Sequence, residues 1–517
     1  MLLALGGASA ASACSPRGGG QSHGRLLIFG QSMEPTQLNT ALSTASPASF
    51  VASKIFDGLL AFDLQGRPKP QLAQSWDISP DGLTYRFQLQ PGVTWHDGTP
   101  FTSDDVAYTL TQVWKVFHSR GRTTFANVVD VQTPSPSTVV LKLSQPAPYL
   151  LSCLSASEST VLPKHLYAGT DILTNPHNVS PVGSGPFRFV RWQRGAEIVL
   201  ERNRSYWAAG TPKLDGIVVR FMPDSTAAAV ALESGTVDLI GQISRSEAAR
   251  LQANPSLVVQ SETPSLSPLS TQFEFNLDRP FLKDVRVRQA FAHAIDRDFI
   301  AQSIIGSAEA ADSPVPLELT QFHAPDLPRY AFDLDKANAL LDQSGLVRAK
   351  DGVRLRLHLD YADSVQNTRI AAYIRSTLAR AGIDLSPRPQ DQGEYINRVY
   401  SRRDFDTCMT GSGAGRDPAV GVQRYYWSKN FKRGVAFSNG AHYANPEVDR
   451  LLETAQVELD PAKRRDLYYR FQRIAMTDLP YLPLAWTHNR VASNRRVKNV
   501  LSDLAGLNGN FAGVDLA

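Results

Sequence analysis

The sequence predicts an α/β protein that has two lobes and an additional β-rich subdomain. Two strand–helix–strand patterns lie far apart in the chain, at residues 217–240 and 353–385. A unit of this kind with parallel strands has a right-handed crossover and covers one face of a sheet with its helix. Residues 61–180 instead favour β structure, most clearly in the strand expected at 138–143. Each unit therefore predicts one α/β lobe, with the β-rich stretch inserted beside them.

The beginning of the chain has the pattern of an export signal. Residues 1–13 are small and apolar, and Cys14 follows them directly. This arrangement resembles the cleavage site of a bacterial lipoprotein, in which the cysteine accepts the lipid. No Lys or Arg precedes the apolar run, and Ala11 stands where a lipoprotein signal usually has Leu, so the alternative is cleavage without lipidation. Residues 15–23 are expected to be a flexible tether.

The composition is that of a globular protein with a large core. The 517 residues are 42% hydrophobic and 20% charged, and no window after residue 13 has the roughly 18 apolar residues of a membrane span. The net charge of +4 is small and scattered, which argues against nucleic acid as a partner. Cys153 and Cys408 are too far apart in sequence to suggest a disulfide framework and are expected to be small buried residues.

The stretch from residue 70 to residue 110 has the clearest order of elements. A strand is expected at 26–29, before this stretch, and a turn at 79–82 opens it. Apolar residues then alternate with polar ones at 85–89, as in a half-buried strand. Thr102 precedes two acidic residues and predicts the start of a helix, because acids in the first turn favour the helix dipole.

Four blocks in this stretch resemble the signature of the family 5 extracellular solute-binding proteins of ABC importers, which include dipeptide-, oligopeptide- and nickel-binding receptors. The blocks are Leu-Ala-x-Ser-Trp at 72–76, Asp-Gly-Leu-Thr-Tyr-x-Phe at 81–87, His-Asp-Gly-x-Pro-Phe at 96–101 and Asp-Val at 105–106. The family pattern implies packing at His96 and Asp97, so we interpret this pair as a turn and not as a catalytic dyad.

Later blocks extend the resemblance to about residue 497. A Gly-Ser-Gly-Pro-Phe run at 183–187 predicts a tight turn that enters a strand, since no helix or Lys-Ser/Thr pair follows it as in a phosphate loop. In the block at 284–297, Asp284 is expected to cap a helix, and His293 lies off its apolar stripe, as a surface or hydrogen-bonded histidine does. Asn445 and Asp460 each precede a proline and predict two further helix starts.

No motif of an enzyme is present. The sequence lacks a GxSxG elbow, an HExxH helix, a Walker loop, a dinucleotide fingerprint and any C-x-x-C pair, and its ten histidines are dispersed. We therefore predict that the protein is not an enzyme and binds no cofactor or metal of its own. A secreted hydrolase remains the alternative class, because acid–base pairs can form across space.

The run Thr-Gly-Ser-Gly-Ala-Gly-Arg-Asp-Pro at 410–418 is the most informative functional stretch. In the resembling peptide receptors this region reads approximately Gly-Ala-Asp-Tyr-Pro-Asp-Pro, and its first Asp holds the amino terminus of the ligand. Ala414 aligns with that Asp, so this role is not carried over. Arg416 would instead offer a planar guanidinium to a ligand carboxylate; the alternative is a structural ion pair with Asp417 or another acid.

Further ligand contacts are expected around this run. Aromatic residues at 425–427, 437 and 443 suit either an amphipathic ligand or the core. The complete set of predicted ligand-binding residues is Arg416, Asp417, Gly415, Phe275, Asn276, Tyr395, Asn439 and Trp486.

The resemblance implies the periplasmic-binding-protein-like (type II) two-lobed clamshell with an additional β-rich subdomain. The domain boundaries expected from it are 1–25 for the signal and tether, 26–60 with 181–272 and 483–517 for lobe I, 61–180 for the β-rich subdomain, and 273–482 for lobe II. The hinge is expected near 270–276 and 482–490.

The resemblance also implies the function. The protein is expected to be the monomeric extracytoplasmic receptor of an ABC transporter, in the periplasm or at the outer face of the cytoplasmic membrane. It would capture a short peptide or peptide-like solute and deliver it to the ABC permease and ATPase complex, without a role for nucleic acid. A receptor for a chelated metal is the alternative within the binding class.

Overall fold

The computed structural model describes residues 24–43, 45–118, 120–261, 268–411 and 413–517. The expected signal, the lipid-accepting Cys14 and the tether at 15–23 lie outside the described residues. None of the described helices combines the length and the apolar character that a membrane span requires.

The strands follow one another along the whole described chain. In order they are β1 (Leu26–Gln31), β2 (Leu60–Phe62), β3 (Pro68–Pro70), β4 (Ala73–Ile78), β5 (Thr84–Leu89), β6 (Val128–Ser135), β7 (Thr138–Leu143), β8 (Phe187–Gln193), β9 (Glu197–Arg202), β10 (Gly216–Phe221), β11 (Leu239–Ile240), β12 (Leu257–Ser261), β13 (Leu269–Phe275), β14 (Ala308–Ala310), β15 (Leu355–Ala362), β16 (Ile383–Gln390), β17 (Thr407–Thr410), β18 (Tyr481–Thr487), β19 (Arg490–Asn494), β20 (Val497–Lys498) and β21 (Asp515–Leu516).

The α-helices lie between these strands. In order they are α1 (Ser46–Ile55), α2 (Ser103–Tyr108), α3 (Gly121–Thr124), α4 (Lys164–Tyr167), α5 (Ser225–Glu233), α6 (Arg245–Gln252), α7 (Val285–Ala294), α8 (Arg297–Phe299), α9 (Leu334–Gln343), α10 (Val365–Arg380), α11 (Gln392–Ile396), α12 (Pro418–Gly421), α13 (Gln423–Tyr426), α14 (Pro446–Val457) and α15 (Pro461–Asp478).

Lobe I is built on a sheet with the strand order β12–β19–β11–β1–β10–β9–β8. β1 pairs in parallel with β10 on one side and with β11 on the other. The predicted unit β10–α5–β11 is therefore confirmed as parallel, with β1 between its two strands. The strand expected at 26–29 is confirmed as β1.

Lobe II is built on a second sheet with the order β14–β18–β13–β17–β15–β16. The second predicted unit, β15–α10–β16, is confirmed: its strands pair in parallel from Leu355 opposite Ile383 to Ala362 opposite Gln390. Gly382 separates the helix from β16 with a φ of +82°, in the left-handed region that favours glycine. β13, β17 and β18 form the centre of this sheet and lead to the candidate site.

The β-rich stretch forms an antiparallel sheet with the order β4–β5–β7–β6. Its inward residues, such as Tyr85 and Phe87, share one apolar core with Phe29 of β1 and Ile55 of α1. Lobe II has a separate core around Phe273 and its neighbours. The β-rich subdomain is therefore packed against lobe I rather than against the core of lobe II.

The chain crosses between the lobes within the second stretch expected as the hinge, 482–490, but before the first, 270–276. It leaves the first sheet at Ser261, enters the second at Leu269, leaves that at Thr487 and returns at Arg490. The expected boundaries at 272/273 and 482/483 fall inside β13 and β18, which pair with each other almost throughout. Residues in the middle of a paired strand cannot absorb a hinge rotation without breaking the ladder, so the expectation for 270–276 is corrected and that for 482–490 is narrowed to residues 488–489.

The local signals in the sequence are largely confirmed. Thr102 and Asp105 form a capping box at the start of α2, and Asp284, Asn445 and Asp460 accept backbone N–H groups at the starts of α7, α14 and α15. Each cap satisfies donors that the first helical turn leaves without partners.

Two local interpretations become more specific. The turn at 183–187 enters β8, and its glycines are required for close approach: a Cβ on Gly183 would lie 1.9 Å from the carbonyl oxygen of Ile55. Of the two alternatives for His293, the hydrogen-bonded one is confirmed: the side chain is buried, and its Nδ1 lies 2.8 Å from the carbonyl oxygen of Ala331.

Candidate functional site

In each lobe, loops follow the ends of parallel strands, where α/β sheets bind ligands. In lobe I, residues 32–33 follow β1 and residues 241–242 follow β11. In lobe II, a glycine-rich loop of residues 413–418 follows β17, which is parallel to β15. Gly415 of this loop is buried, with a φ of +65° that favours glycine.

Asp417 lies in the glycine-rich loop but is held by the protein itself. Its two carboxylate oxygens accept hydrogen bonds of 2.6 and 2.7 Å from the guanidinium of Arg464, and both side chains are buried. Its Oδ1 also accepts from the backbone N–H of Ala419 and caps α12. The prediction that Asp417 contacts ligand, and the alternative that it is the partner of Arg416, are both disfavoured, because Arg464 already pairs with it.

Arg416 reaches from the glycine-rich loop to the hairpin between β2 and β3. A Cβ on Gly66 in that hairpin would lie 2.2 Å from an Nη2 atom of Arg416, so the guanidinium packs directly on the glycine. Burial lowers the pKa of Arg416, and the nearby Glu318 carboxylate opposes this shift. Arg416 thus brings a partly desolvated cation to the contact between lobe II and residues 60–70.

Glu318 lies beside Arg416 and close to the imidazole of His488. Its Oε1 lies 3.0 Å from Nδ1 of His488, which is on the crossing segment between β18 and β19, but the geometry is not that of a hydrogen bond. Of the two alternatives for Arg416, the structural one now has a specific candidate partner in Glu318. The ligand-binding alternative is supported by the position of the guanidinium between lobes.

A polar pocket lies beneath the glycine-rich loop on the face of the second sheet. It is narrow, without space for a water molecule in this state, and it is lined by Ser270, Gln272, Pro314, Ala414, Gly421, Val422, Tyr425, Tyr426 and Trp486. Three buried polar atoms of these residues have no hydrogen-bond partner in the described chain: Oε1 of Gln272, Oη of Tyr426 and Nε1 of Trp486. Unsatisfied buried groups are costly, so a ligand that reaches them when the pocket opens binds favourably.

Glu274 continues the same row of side chains along β13. It is fully buried, lies opposite Tyr481 and Cys408 on the neighbouring strands, and accepts a hydrogen bond of 3.5 Å from the Cys408 thiol. Burial raises the pKa of Glu274 to about 8. At neutral pH this carboxyl is therefore mainly protonated, and the row presents neutral polar groups rather than an anion.

Lobe I contributes a pocket of about 70 Å³ on its own side. Gln31, Ser32 and Gln242 line it at the ends of β1 and β11, and Asn489 lines it from the crossing segment. The Oε1 atom of Gln31 is buried without a partner among the described residues, whereas Ser32 donates a 2.8 Å hydrogen bond to Gln242. Both lobes therefore present unsatisfied amide oxygens near the region in which they are joined.

Four predicted ligand contacts belong to the interior instead. Phe275 packs edge-on against Phe291 in the core of lobe II, and the hydroxyl of Tyr395 donates to the carbonyl oxygen of Met409. Asn276 donates to Phe405 and accepts from Arg403, and Asn439 exchanges hydrogen bonds with the backbone of Tyr443. All four are buried, and the polar side-chain atoms of Tyr395, Asn276 and Asn439 are already paired, so the structure gives no support to these predictions. Trp486, also in the predicted set, lines the polar pocket.

Sequence reasoning missed Gln272 and named Tyr426 only within an aromatic group suited either to a ligand or to the core. The signal for Gln272 was available: Ser270, Gln272 and Glu274 occupy alternate positions of β13, opposite in phase to Phe273 and Phe275. A strand buried on both faces normally carries apolar residues on both. Three polar residues on one face therefore indicate a polar site.

His96 and Asp97 do not form a dyad. The Nδ1 of His96 accepts from the backbone N–H of Gly183, and its Nε2 lies 3.0 Å from the carbonyl oxygen of Gly185. Burial lowers the pKa of His96 to about 4, and Asp97 pairs with His165. The interpretation as a structural pair is supported. Within the described residues no group of three or more His, Cys, Asp or Glu side chains is arranged to hold a metal ion.

Comparison with protein families gives one match over most of the chain. The family model described as "Bacterial extracellular solute-binding proteins, family 5 Middle" matches residues 67–434. A putative ABC transporter peptide-binding protein of Brucella ovis is 32% identical over 457 residues, which cover 82% of this chain and 80% of the relative.

Solved structures share the fold. The ABC transporter-associated periplasmic binding protein DppA from Helicobacter pylori, in complex with the peptide STSA, aligns with a TM-score of 0.81 and 26% identity over 95% of this chain and 98% of its own. NikZ from Campylobacter jejuni, in complex with Ni(L-His), aligns with a TM-score of 0.81 and 26% identity over 94% of this chain and 98% of its own. These neighbours support the two-lobed type II fold.

Proposed function

Because the chain belongs to the bacterial extracellular solute-binding proteins of family 5, we propose that it captures a short peptide or peptide-like solute between its lobes and delivers it to an ABC transporter. The observation that carries the proposal is the polar pocket: three of the residues that line it, on strands β13 and β18 and helix α13, each have a buried polar atom without a partner in the described chain. The names of the relatives, among them a peptide-binding protein and a complex with the peptide STSA, support a peptide as the ligand class.

Binding by lobe closure follows from the connections between the sheets. The chain crosses between them only at the segments that precede β13 and follow β18, as far as the described strands show. A ligand that contacts both lobes gains its full interaction free energy only when they close, so it shifts the population toward the closed form. The closed form is the one we expect the permease and ATPase complex to recognise.

Arg416 is proposed to receive a carboxylate of the ligand. Ala414 provides no acid for a ligand amine, and Arg416 brings a guanidinium to the contact between lobe II and the β2–β3 hairpin. A bidentate guanidinium–carboxylate contact is among the stronger polar interactions in proteins. Gly415 would support this role through the loop backbone rather than through a side chain.

Export and anchoring are also proposed. The protein would lie in the periplasm or at the outer face of the cytoplasmic membrane, held by a lipid on Cys14, and act as a monomer. Fractionation of cells that express wild type and the Cys14→Ala variant from the natural start tests the anchor. Loss of the membrane-bound fraction in the variant is expected; equal partitioning of the two proteins would exclude the anchor.

A chelated metal is the second candidate ligand. It is favoured by the structural neighbour NikZ, whose structure contains Ni(L-His). In such a complex the small-molecule chelator can supply metal-binding groups, so a metal cluster of protein side chains is not required. Native mass spectrometry of the purified protein distinguishes the two candidates by the mass and metal content of the co-purified ligand.

The direct test is binding with closure. The identified ligand is expected to raise the thermal midpoint, because it binds the folded state, and to reduce the radius of gyration measured by small-angle X-ray scattering. Incubation with peptides and esters should give no turnover. Hydrolysis at a rate proportional to protein concentration would favour the secreted hydrolase instead.

A further inference from the structure

A second cavity, of about 100 Å³, lies between the β-rich subdomain and lobe II. Arg120, Thr124 and Tyr149 line it from the subdomain, and Gln423, Arg424 and Trp427 are among the residues that line it from lobe II. It is distinct from the polar pocket, which contains none of these side chains. Closure of lobe II on the subdomain therefore encloses a site of its own.

The lining of this interlobe cavity is positive. It includes two arginines and no acidic residue. Arg120 forms an ion pair with Glu158, and its Nε is buried without a hydrogen-bond partner among the described residues. The Nε of Arg424 is likewise buried without a partner in the described part of the chain, although its Nη2 donates a 3.1 Å hydrogen bond to the hydroxyl of Tyr425. Two guanidinium groups with such N–H donors beside one cavity favour an anion.

An acceptor and an apolar wall accompany the two arginines. Gln423 is 4% exposed; its Nε2 donates to Gln456, and its Oε1 is buried without a partner in the described chain. Trp427 and Phe437 also line the cavity. A ligand that satisfies the cavity therefore needs a carboxylate, an N–H donor close to it and an apolar body.

We propose that the interlobe cavity binds a carboxylate-bearing amino-acid residue of the peptide ligand. The carboxylate would accept from Arg120 and Arg424, the neighbouring amide N–H would donate to Oε1 of Gln423, and the remainder would pack on Trp427. This inference rests on the proposed peptide-receptor function and extends it. Arg416 and the interlobe cavity would each receive one carboxylate, so the preferred ligand is a peptide with two separate carboxylates.

Two sources of the carboxylate in the cavity share this chemistry, the carboxyl end of the peptide and an acidic side chain. Four pools of random tri- to pentapeptides separate them. The peptides of a pool contain either one Glu or one Gln, and they end in either a free carboxyl group or an amide, which gives the four combinations. The pools compete for the purified protein, and native mass spectrometry measures the peptides retained. In wild type each carboxylate is expected to raise retention at least about tenfold.

Arg424→Gln is the decisive variant. It should abolish the preference for one of the two carboxylates and leave the preference for the other, and the preference that is lost identifies the source. Arg416→Ala should abolish the remaining one. Arg122→Gln is the matched control, because this exposed arginine donates to the carbonyl oxygen of Val116 and does not line the cavity; both preferences should persist.

The outcomes separate the two proposals. Arg424→Gln with both preferences intact would overturn the inference, as would a wild type that retains acid and amide pools equally; peptide capture itself would then stand. Retention of no pool by wild type would overturn the peptide receptor and the inference together. Should Arg424→Gln not fold, Arg424→Lys replaces it: the same preference should weaken, because an ammonium does not reproduce the guanidinium fork.

Discussion

Two buried polar sites next to the glycine-rich loop differ in how far the protein completes them. The Asp417 carboxylate has both oxygens paired with Arg464, and the pair lies inside the fold. In the polar pocket, Gln272, Tyr426 and Trp486 each keep a buried polar atom without a partner. A completed site stabilises the folded chain, whereas an incomplete one costs free energy until a ligand completes it. The difference assigns structure to the first site and binding to the second.

The largest effect is expected when the completed site is broken. Asp417→Asn leaves the buried guanidinium of Arg464 without its counter-charge and should lower the free energy of unfolding by about 3–5 kcal/mol. Urea denaturation measures the loss. Asp466→Asn, on the helix that contains Arg464, is the control. The side chain of Asp466 is 67% exposed, and its ion pair with Arg465 should contribute at most about 1 kcal/mol. Equal losses in both variants would mean that the Asp417 pair is not a stabilising element.

The next effect concerns the protonated Glu274 beside the pocket. Its pKa is raised by burial to about 8 in the folded protein, so the folded state binds the proton more tightly than the unfolded state. The contribution of this proton to the free energy of unfolding is fully present below the unfolded pKa of about 4.5, and it is lost as pH rises through about 8. Glu274→Gln keeps the shape of the side chain but removes its titration. The variant should therefore lack the decline in the free energy of unfolding, on the order of a few kcal/mol, that wild type shows between pH 5 and pH 9.

The free energy of unfolding of wild type and variant at pH 5, 7 and 9 tests this sign. Glu309→Gln in the exposed edge strand β14 is the control and should follow wild type at each pH. A Glu274→Gln variant whose stability declines as steeply as that of wild type would mean that Glu274 is not the group responsible.

A smaller effect is expected on ligand affinity at Arg416. Arg416→Ala should weaken binding at least roughly tenfold, since a charge-assisted contact contributes about 1.5–3 kcal/mol, and should leave the thermal midpoint of the empty protein nearly unchanged. Arg416→Lys should restore part of the affinity, because an ammonium lacks the planar fork. Calorimetric titration and thermal unfolding give the two readouts. Unaltered affinity with a lowered midpoint would instead make Arg416 the structural partner of Glu318.

Local signals in the sequence were sufficient for most elements of the fold. Caps such as Thr102 and Asp460 act within one helical turn, and the alternation at 85–89 reports one strand face, so short windows contain the necessary information. The first lobe crossing was misplaced, because the pairing of β13 with β18 joins residues about two hundred positions apart, and no local pattern reports it.

The site was predicted less well than the fold for the same physical reason. Whether a polar side chain binds ligand depends on whether the fold supplies its partner, and the partners of Asn276 and Asn439 are backbone groups brought together by tertiary structure. Asp417 looked available in sequence because Arg464 lies on a distant helix. Trp486 was selected correctly as a pocket residue, although its contact with ligand remains a prediction.

The replacement of Trp486 by phenylalanine tests most directly whether incomplete polar groups mark the binding site. Trp486→Phe keeps an aromatic ring in β18 but removes the buried Nε1–H that has no partner in the described chain. Calorimetric titration with the co-purified ligand should show affinity lowered by up to about tenfold, while the thermal midpoint of the empty protein does not fall, since an unsatisfied donor has been removed. Unchanged affinity together with a lowered midpoint would contradict the account, because Trp486 would then serve the fold and not the ligand.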